Sequence, residues 1–232
     1  MRGAFRIMLR GKGFTLLEVM VSVAILGVIM TLIWSSTSQS LRAKDRFEKR
    51  DLVFHQGRVA LRKIGEDLSM AFLAPREVRR AEGATEIKTF FIGEDRASQD
   101  SISFTSFSHL RLFRGAKESD QCKVAYEVVP SPEDPGRFNI VRREDPWIDD
   151  TVEVKGRAFT LAWDIQEFDL EYYDDRRDEW IKSWDTEQVD WRNRLPMAVR
   201  IRIAFVDPEE EGEVIPLSTA VMIPLSKVPM GL

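Results

Sequence analysis

Three regimes of hydrophobic patterning follow one another along the chain. From Phe14 to Trp34 the residues read FTLLEVMVSVAILGVIMTLIW, an apolar run whose only charge is Glu18. At ~1.5 Å rise per residue such a run forms about 30 Å of helix, enough to span the hydrocarbon core of a bilayer. Polar residues then return without a proline until Pro75, and Leu61, Ile64, Leu68 and Phe72 keep the three-and-four spacing of one helical face. A single helix from Phe14 to about Phe72 accounts for both regimes. Gly57 weakens it slightly, since an interior glycine costs about 1 kcal/mol relative to alanine.

After Pro75 the period changes to two. In PMAVRIRIAFVD the residues Val199, Ile201, Ile203 and Phe205 share one face and Arg200 and Arg202 the other, and FDLEYYD repeats this with Phe168, Leu170 and Tyr172 inward. Further strands are expected at Ser101 to Ser106, Val124 to Val129, Phe138 to Arg142, Trp180 to Trp184 and Ala220 to Leu225. The PSPEDPGR stretch, Pro130 to Arg137, supplies turn chemistry between two of them. Segments 81–100 and 207–213 read as exposed loops. Six or seven strands after one long helix predict an α+β fold, with an antiparallel sheet laid on the helix's apolar face.

Charge adds an orientation. Arg2, Arg6, Arg10 and Lys12 precede the apolar run with no acid among them, a flank that the positive-inside rule keeps in the cytoplasm. Removing those four from 34 Lys and Arg leaves 30 against 38 acids. So acidic a remainder excludes a nucleic-acid binder, which needs clustered cations for phosphate. Cys122 is the only cysteine, so no intramolecular disulfide and no multi-cysteine metal site can form. A signal peptide would share the charge order, but it ends its apolar region at a small-residue cleavage site. Here the small residue, Gly13, comes first, and cutting there would leave the whole apolar helix behind Phe14.

The stretch GFTLLEVMVSVAILG, Gly13 to Gly27, resembles the prepilin-type cleavage and methylation motif of type IV pilins and type II secretion pseudopilins. The resemblance implies cleavage between Gly13 and Phe14 by an inner-membrane prepilin peptidase and methylation of the new Phe14 amine. It also implies a subunit-assembly role for Glu18, whose carboxylate would pair with the amino terminus of a neighbouring subunit. An unpaired carboxylate in lipid is costly by several kcal/mol; pairing with the chain's own Phe14 amine, one helical turn away, or with that of a neighbour reduces the cost, and only the second rewards assembly. The expected layout is a cleaved leader at 1–13, a transmembrane and assembly half-helix at 14–36, a periplasmic half-helix at 37–74, and a β-rich periplasmic domain at 75–232.

The β-rich part is similar to the J-type minor pseudopilin of type II secretion. Tyr126, Arg142 with Arg143, Tyr173 with Asp174, Trp180, Trp184, and Leu195 with Pro196 stand at that family's positions. This resemblance implies a pilin-like fold and a place in a pseudopilus tip complex with I-type and K-type minor pseudopilins and the major pseudopilin. That complex would prime the filament and assist protein export. Leu61, Ile64 and Leu68 on the helix are candidate interface residues. A minor pilin of a type IV pilus is the nearest alternative, and a membrane-anchored periplasmic enzyme the next.

Catalytic chemistry is thinly represented. The histidines are His55 and His109 alone, and a Cys122 with His109 dyad has no flanking signature. The acidic runs Asp149 with Asp150, Asp174 with Asp175, and Glu209 to Glu211 lack the spacing of a calcium loop. No catalytic residue, metal site or cofactor is therefore expected. Among Trp147, Trp163, Trp180, Trp184 and Trp191, most are expected in the core, with one or two at a subunit interface.

Overall fold

The computed structural model describes residues 13, 15–74, 88–111, 115, 118–132, 134–210 and 212–227. The chain divides into two compact units, Met1–Lys49 and Arg50–Leu232. One helix, α1, runs through Leu16–Ser69. In the first unit it carries large apolar residues on every face, from Leu16 at 81% exposure to Trp34 at 76%, so that no side of it is dry. By length and composition this is a helix able to cross a membrane.

The second unit holds the rest of α1 and nine strands: β1 (Phe91–Glu94), β2 (Ser101–Ser106), β3 (Cys122–Pro130), β4 (Phe138–Asp145), β5 (Arg157–Asp174), β6 (Glu179–Ile181), β7 (Trp184–Asp185), β8 (Ala198–Val206) and β9 (Val214–Met222). They form one antiparallel sheet in the order β7-β1-β2-β3-β4-β5-β8-β9, with β6 paired to β5. Strand β5 joins the two halves: its first part pairs with β4 and its second with β8, with a register shift between Ile165 and Glu167. The β1–β2 turn is fastened back onto β5, where Leu170 N–H donates to the buried Asp100 carboxylate at 2.8 Å and Phe168 N–H to the Ser98 carbonyl at 2.8 Å.

The period-two reading holds where the alternation is long. Val199, Ile201 and Ile203 have no exposure and Phe205 has 1%, and Phe168, Leu170 and Tyr172 are equally sealed. Helical residues Ala60, Ile64 and Leu68 complete this core. Ile64 and Leu68 are therefore spent inside the chain's own fold and Leu61 is half-buried, which removes Ile64 and Leu68 from any surface a partner could touch. Gly57 is a contact as well as a helix weakener. A Cβ there would lie 2.1 Å from Leu217 and 3.0 Å from Phe205, so a side chain at this position would prop α1 off β8 and β9.

Three expectations fail at short or edge elements. The described part of segment 81–100 is not an exposed loop throughout: Phe90 and Phe91 are fully buried and β1 pairs on both sides, while residues 95–98 do form an exposed turn. FFIGE is too short for its alternation to stand out, and its partners decide its state. The stretch Trp180 to Trp184 is two strands, with Trp180 paired to β5 and Trp184 to β1. The last strand begins at Val214 and ends at Met222, displaced from Ala220 to Leu225, because β9 follows β8 along its whole length. Pro216, which argues against an interior strand, is tolerated because β9 is an edge. Of the tryptophans, Trp184 alone is buried, Trp180 and Trp191 are half-buried, and Trp147 and Trp163 are 67% and 51% exposed.

Gly93 permits the closest approach inside the sheet: an added Cβ would sit 2.0 Å from the Tyr172 hydroxyl and 2.2 Å from its ring. Gly93→Ala should cost about 1–3 kcal/mol, read as a lowered midpoint in denaturant unfolding, because the fully buried ring has nowhere to move. The Tyr172 hydroxyl finds no hydrogen-bond partner among the described residues, so Tyr172→Phe should be neutral or stabilising in the same measurement.

Candidate functional site

In the first unit the candidate site is the start of α1. Thr15 is its N-cap: Glu18 N–H donates to Thr15 Oγ1 at 3.3 Å, while Thr15 N–H and Thr15 Oγ1 donate to Glu18 Oε2 at 2.9 and 3.0 Å. This is a capping box, in which a carboxylate three residues into the helix takes the free amide of the residue that caps it. The signal T-x-x-E was present in the sequence, although Glu18 is read there only as an assembly residue. Gly13 is exposed, with open space around its Cα, and Phe14 lies outside the described residues.

In the second unit the polar chemistry gathers around Asp67, a fully buried carboxylate on the apolar face of α1. Its Oδ2 accepts from Arg142 Nε at 2.6 Å and from the Tyr126 hydroxyl at 2.7 Å, and its Oδ1 accepts from Lys63 Nζ at 2.8 Å. Tyr126 and Arg142 are directly opposite each other on β3 and β4. Burial pushes the Asp67 carboxyl up, but Arg142, Lys63 and Tyr126 outweigh it and hold the group below its ordinary range. Arg142 continues the chain of contacts to Glu144, whose Oε1 lies 2.7 Å from His109 Nδ1, and His109 Nε2 lies 3.3 Å from Glu118. The guanidinium also stands 5.5 Å from the Phe159 ring centroid.

Sequence reasoning placed Tyr126 and Arg142 but missed Asp67, to which both attach. Its signal was an acid at the third position after Ile64, within the apolar stripe. Arg143 faces the other way and pairs with Glu127 at 2.6 Å. The remaining similar residues form a second cluster. Asp174 accepts from Arg194 Nη2 at 2.7 Å, the Arg194 guanidinium stacks 5.6 Å from the Trp184 ring, and Trp184 Nε1 donates to the Arg194 carbonyl at 3.0 Å. Leu195 is 5% exposed beneath it. Tyr173 and Trp180 lie apart from this cluster with their rings 5.2 Å apart, and Arg200 covers Trp180 at 4.0 Å.

His109 is engaged by two carboxylates, while the fully buried Cys122 contacts Ser108 Oγ at 3.7 Å and the Ser106 carbonyl at 3.6 Å. Burial raises the Cys122 thiol to about 11, where it is no nucleophile at neutral pH. His55 is exposed on α1. Among the acids weighed as cation ligands, Asp149 holds the buried Lys123 at 2.8 Å and Asp174 holds Arg194. Glu211 lies outside the described residues. Among the described residues no group of three His, Cys, Asp or Glu is arranged to hold a metal ion.

Comparison with known proteins divides the chain within α1, between residues 34 and 35. A family model described as type II secretion system (T2SS), protein J, matches residues 35–212. A second, the prokaryotic N-terminal methylation motif, matches residues 8–34. A solved structure, the GspK-GspI-GspJ complex from the enterotoxigenic Escherichia coli type 2 secretion system, contains a chain similar to this one. The identity is 17%, the TM-score 0.48, and the alignment covers 73% of this chain and 96% of that one. No curated protein matches.

Removing one partner of a buried ion pair strands the other, at a cost of about 3–5 kcal/mol. Asp67→Ala should therefore lower unfolding stability by that amount in denaturant titrations, far more than the loss from Arg143→Ala at the surface. His109 gives a pH signature. The Glu144 hydrogen bond raises it above its ordinary 6.5, against burial and with help from Glu118. A raised folded value means that the stabilisation is complete below pH 6.5 and is lost as pH rises through the folded value. Unfolding free energy measured from about pH 6 to about pH 8 should decline in the parent chain and decline less in His109→Gln.

Proposed function

The chain belongs to the type II secretion system protein J family, and on that premise we propose how this minor pseudopilin is processed, placed and assembled. Prepilin peptidase cuts between Gly13 and Phe14 and methylates the new Phe14 amine. The apolar half-helix at 14–36 holds the chain in the inner membrane, and residues 37–74 and 75–232 lie in the periplasm. There the chain joins I-type and K-type minor pseudopilins and the major pseudopilin in a tip complex that primes the pseudopilus. The Glu18 carboxylate receives the amine of a neighbouring subunit.

One observation carries this reading: the methylation-motif match at 8–34 meets the protein J match at 35–212, so the processing signal and the family domain adjoin on one helix. The basic leader supports the orientation. The protein J match favours a secretion pseudopilus over a type IV pilus, and it is a match to a component of the secretion apparatus.

The test is the intact mass and amino-terminal sequence of the protein from cells with and without prepilin peptidase. The expected product is a chain that begins at methylated Phe14 only where the peptidase is present. A chain beginning at Met1 in both cells would refute the processing step. Co-isolation of I-type and K-type subunits with the parent chain, reduced in Glu18→Ala, is the matching readout for assembly.

A further inference from the structure

One cleft in the Arg50–Leu232 unit lies at the edge of the core beside the Asp174–Arg194 cluster and takes no part in the Asp67 network. It is a half-open cleft of about 820 Å³ whose lining includes Leu73, Leu195 and Leu225 together with Arg176, Arg192 and Lys227. The three cations are exposed, and among the described residues no carboxylate pairs with any of them. The one carboxylate in the lining, Asp175, is already held by Arg194 at 3.0 Å. Three cations around one opening with no carboxylate partner among the described residues stand out on a chain of net charge -4. They repel one another and leave a local positive field that only an incoming anion neutralises.

The backbone beneath them is fixed before anything binds. Asp174 accepts from Arg176 N–H at 3.0 Å and from Arg194 Nη2 at 2.7 Å, so one buried carboxylate sets both arginine-bearing segments. Trp184 Nε1 ties the Arg194 carbonyl, and Arg194 N–H donates to the Trp191 carbonyl at 3.1 Å. Asn193 between them takes the left-handed conformation at φ 57°. The backbone held in this way loses little conformational freedom on binding, so the ordering cost is confined to the exposed arginine and lysine side chains.

The lining selects the class of occupant. Arginine presents a planar fork that suits carboxylates, and the partly exposed Leu73 and Leu225 in an otherwise polar lining accept an apolar side chain. The volume falls within the range of sites that enclose several groups together, about 300–1,000 Å³, and a small anion alone would leave the leucines unused. We propose that this cleft docks an acidic, leucine-containing segment of a partner protein. The assignment rests on the lining and its charge, and it does not depend on how the amino terminus is processed.

The full-length chain in neutral detergent micelles is titrated with a fluorescently labelled peptide, acetyl-Leu-Glu-Glu-Leu-Glu-Leu-amide. Saturable binding is expected, weaker at about 0.15 M salt than at low salt. Removing two of the cations in Arg176→Gln with Arg192→Gln should weaken it about tenfold, as should replacing each Glu of the peptide by Gln. Both arginines are exposed and have no carboxylate partner among the described residues, so the variant should keep the parent's unfolding midpoint. Absence of saturable binding, or equal binding of the neutral peptide, would overturn the proposal. So would competition by inorganic phosphate as effective as that of the unlabelled peptide, since the cleft would then accept any anion. Binding that appeared only after deletion of residues 228–232 would also overturn it, because the occupant would then be the chain's own tail.

Discussion

The Asp67 carboxylate lies in the apolar stripe of α1 with no exposure, and both its oxygens are occupied, by Arg142, Tyr126 and Lys63. Burying a lone carboxylate costs several kcal/mol, and the Coulomb attraction of one guanidinium roughly offsets that desolvation. The pair is therefore weak as a source of net stability, and a well-packed apolar pair could do as well. What an apolar pair would not supply is uniqueness. Tyr126 and Arg142 are cross-strand neighbours on β3 and β4, so both reach Asp67 only in one register. A slip of one residue in either strand would turn its side chain to the opposite face and leave the buried carboxylate short of a partner, with Lys63 alone held on the same helix. The clamp thus fixes which strands lie under α1 and at what height.

The end of α1 is closed by a different strand, β2. Ser106 Oγ donates to the Asp67 carbonyl at 2.9 Å and Phe107 N–H to the Met70 carbonyl at 3.1 Å. Phe72 N–H then donates to the Thr105 carbonyl at 3.0 Å, with the Phe72 and Phe107 rings stacked at 4.0 Å. The carbonyls that a helix leaves without partners are in this way taken up by β2 and the residue after it. Charge spreads outward from the clamp through Glu144 to His109, so a partly exposed histidine reports on a fully buried aspartate.

How much of this was legible depends on run length. Strand β8 alternates from Ala198 to Ile203 before Ala204 breaks the pattern, and the inward set Val199, Ile201, Ile203 and Phe205 is read correctly because successive positions repeat the same evidence. Strand β1 has four residues, one of them glycine, and only its neighbours β2 and β7 make it a strand. The buried Lys123 illustrates a different limit. It belongs to the outward set of β3, yet it is sealed because Asp149 and the Glu153 carbonyl from the following loop close over its ammonium group at 2.8 Å each. No local pattern encodes a contact made across that many residues. Asp67 was more accessible, since an acid within an apolar helical stripe needs a partner and the Arg142 strand offered one. Trp147 and Trp163 mislead in the other direction, because residue type alone does not say which face of a sheet is covered.

The first unit poses the opposite problem, a helix whose apolar residues have no cover at all. Each buried large apolar side chain gains about 1.5–3 kcal/mol over exposure to water, so so many exposed ones on every face demand an apolar surrounding. Lipid or neighbouring apolar helices satisfy that demand; water does not. Lipid in turn provides no partners for the first amides of a helix or for a carboxylate. Glu18 answers both needs at once, since it accepts from the free amide of Thr15 and is itself relieved of part of its desolvation cost. Both donors from Thr15 meet Oε2, and Oε1 has no partner among the described residues. One oxygen thus closes the helix from within while the other keeps the capacity to accept from an ammonium group outside it. A carboxylate near the start of an apolar helix is then consistent with both insertion and pairing, because capping alone does not exhaust it.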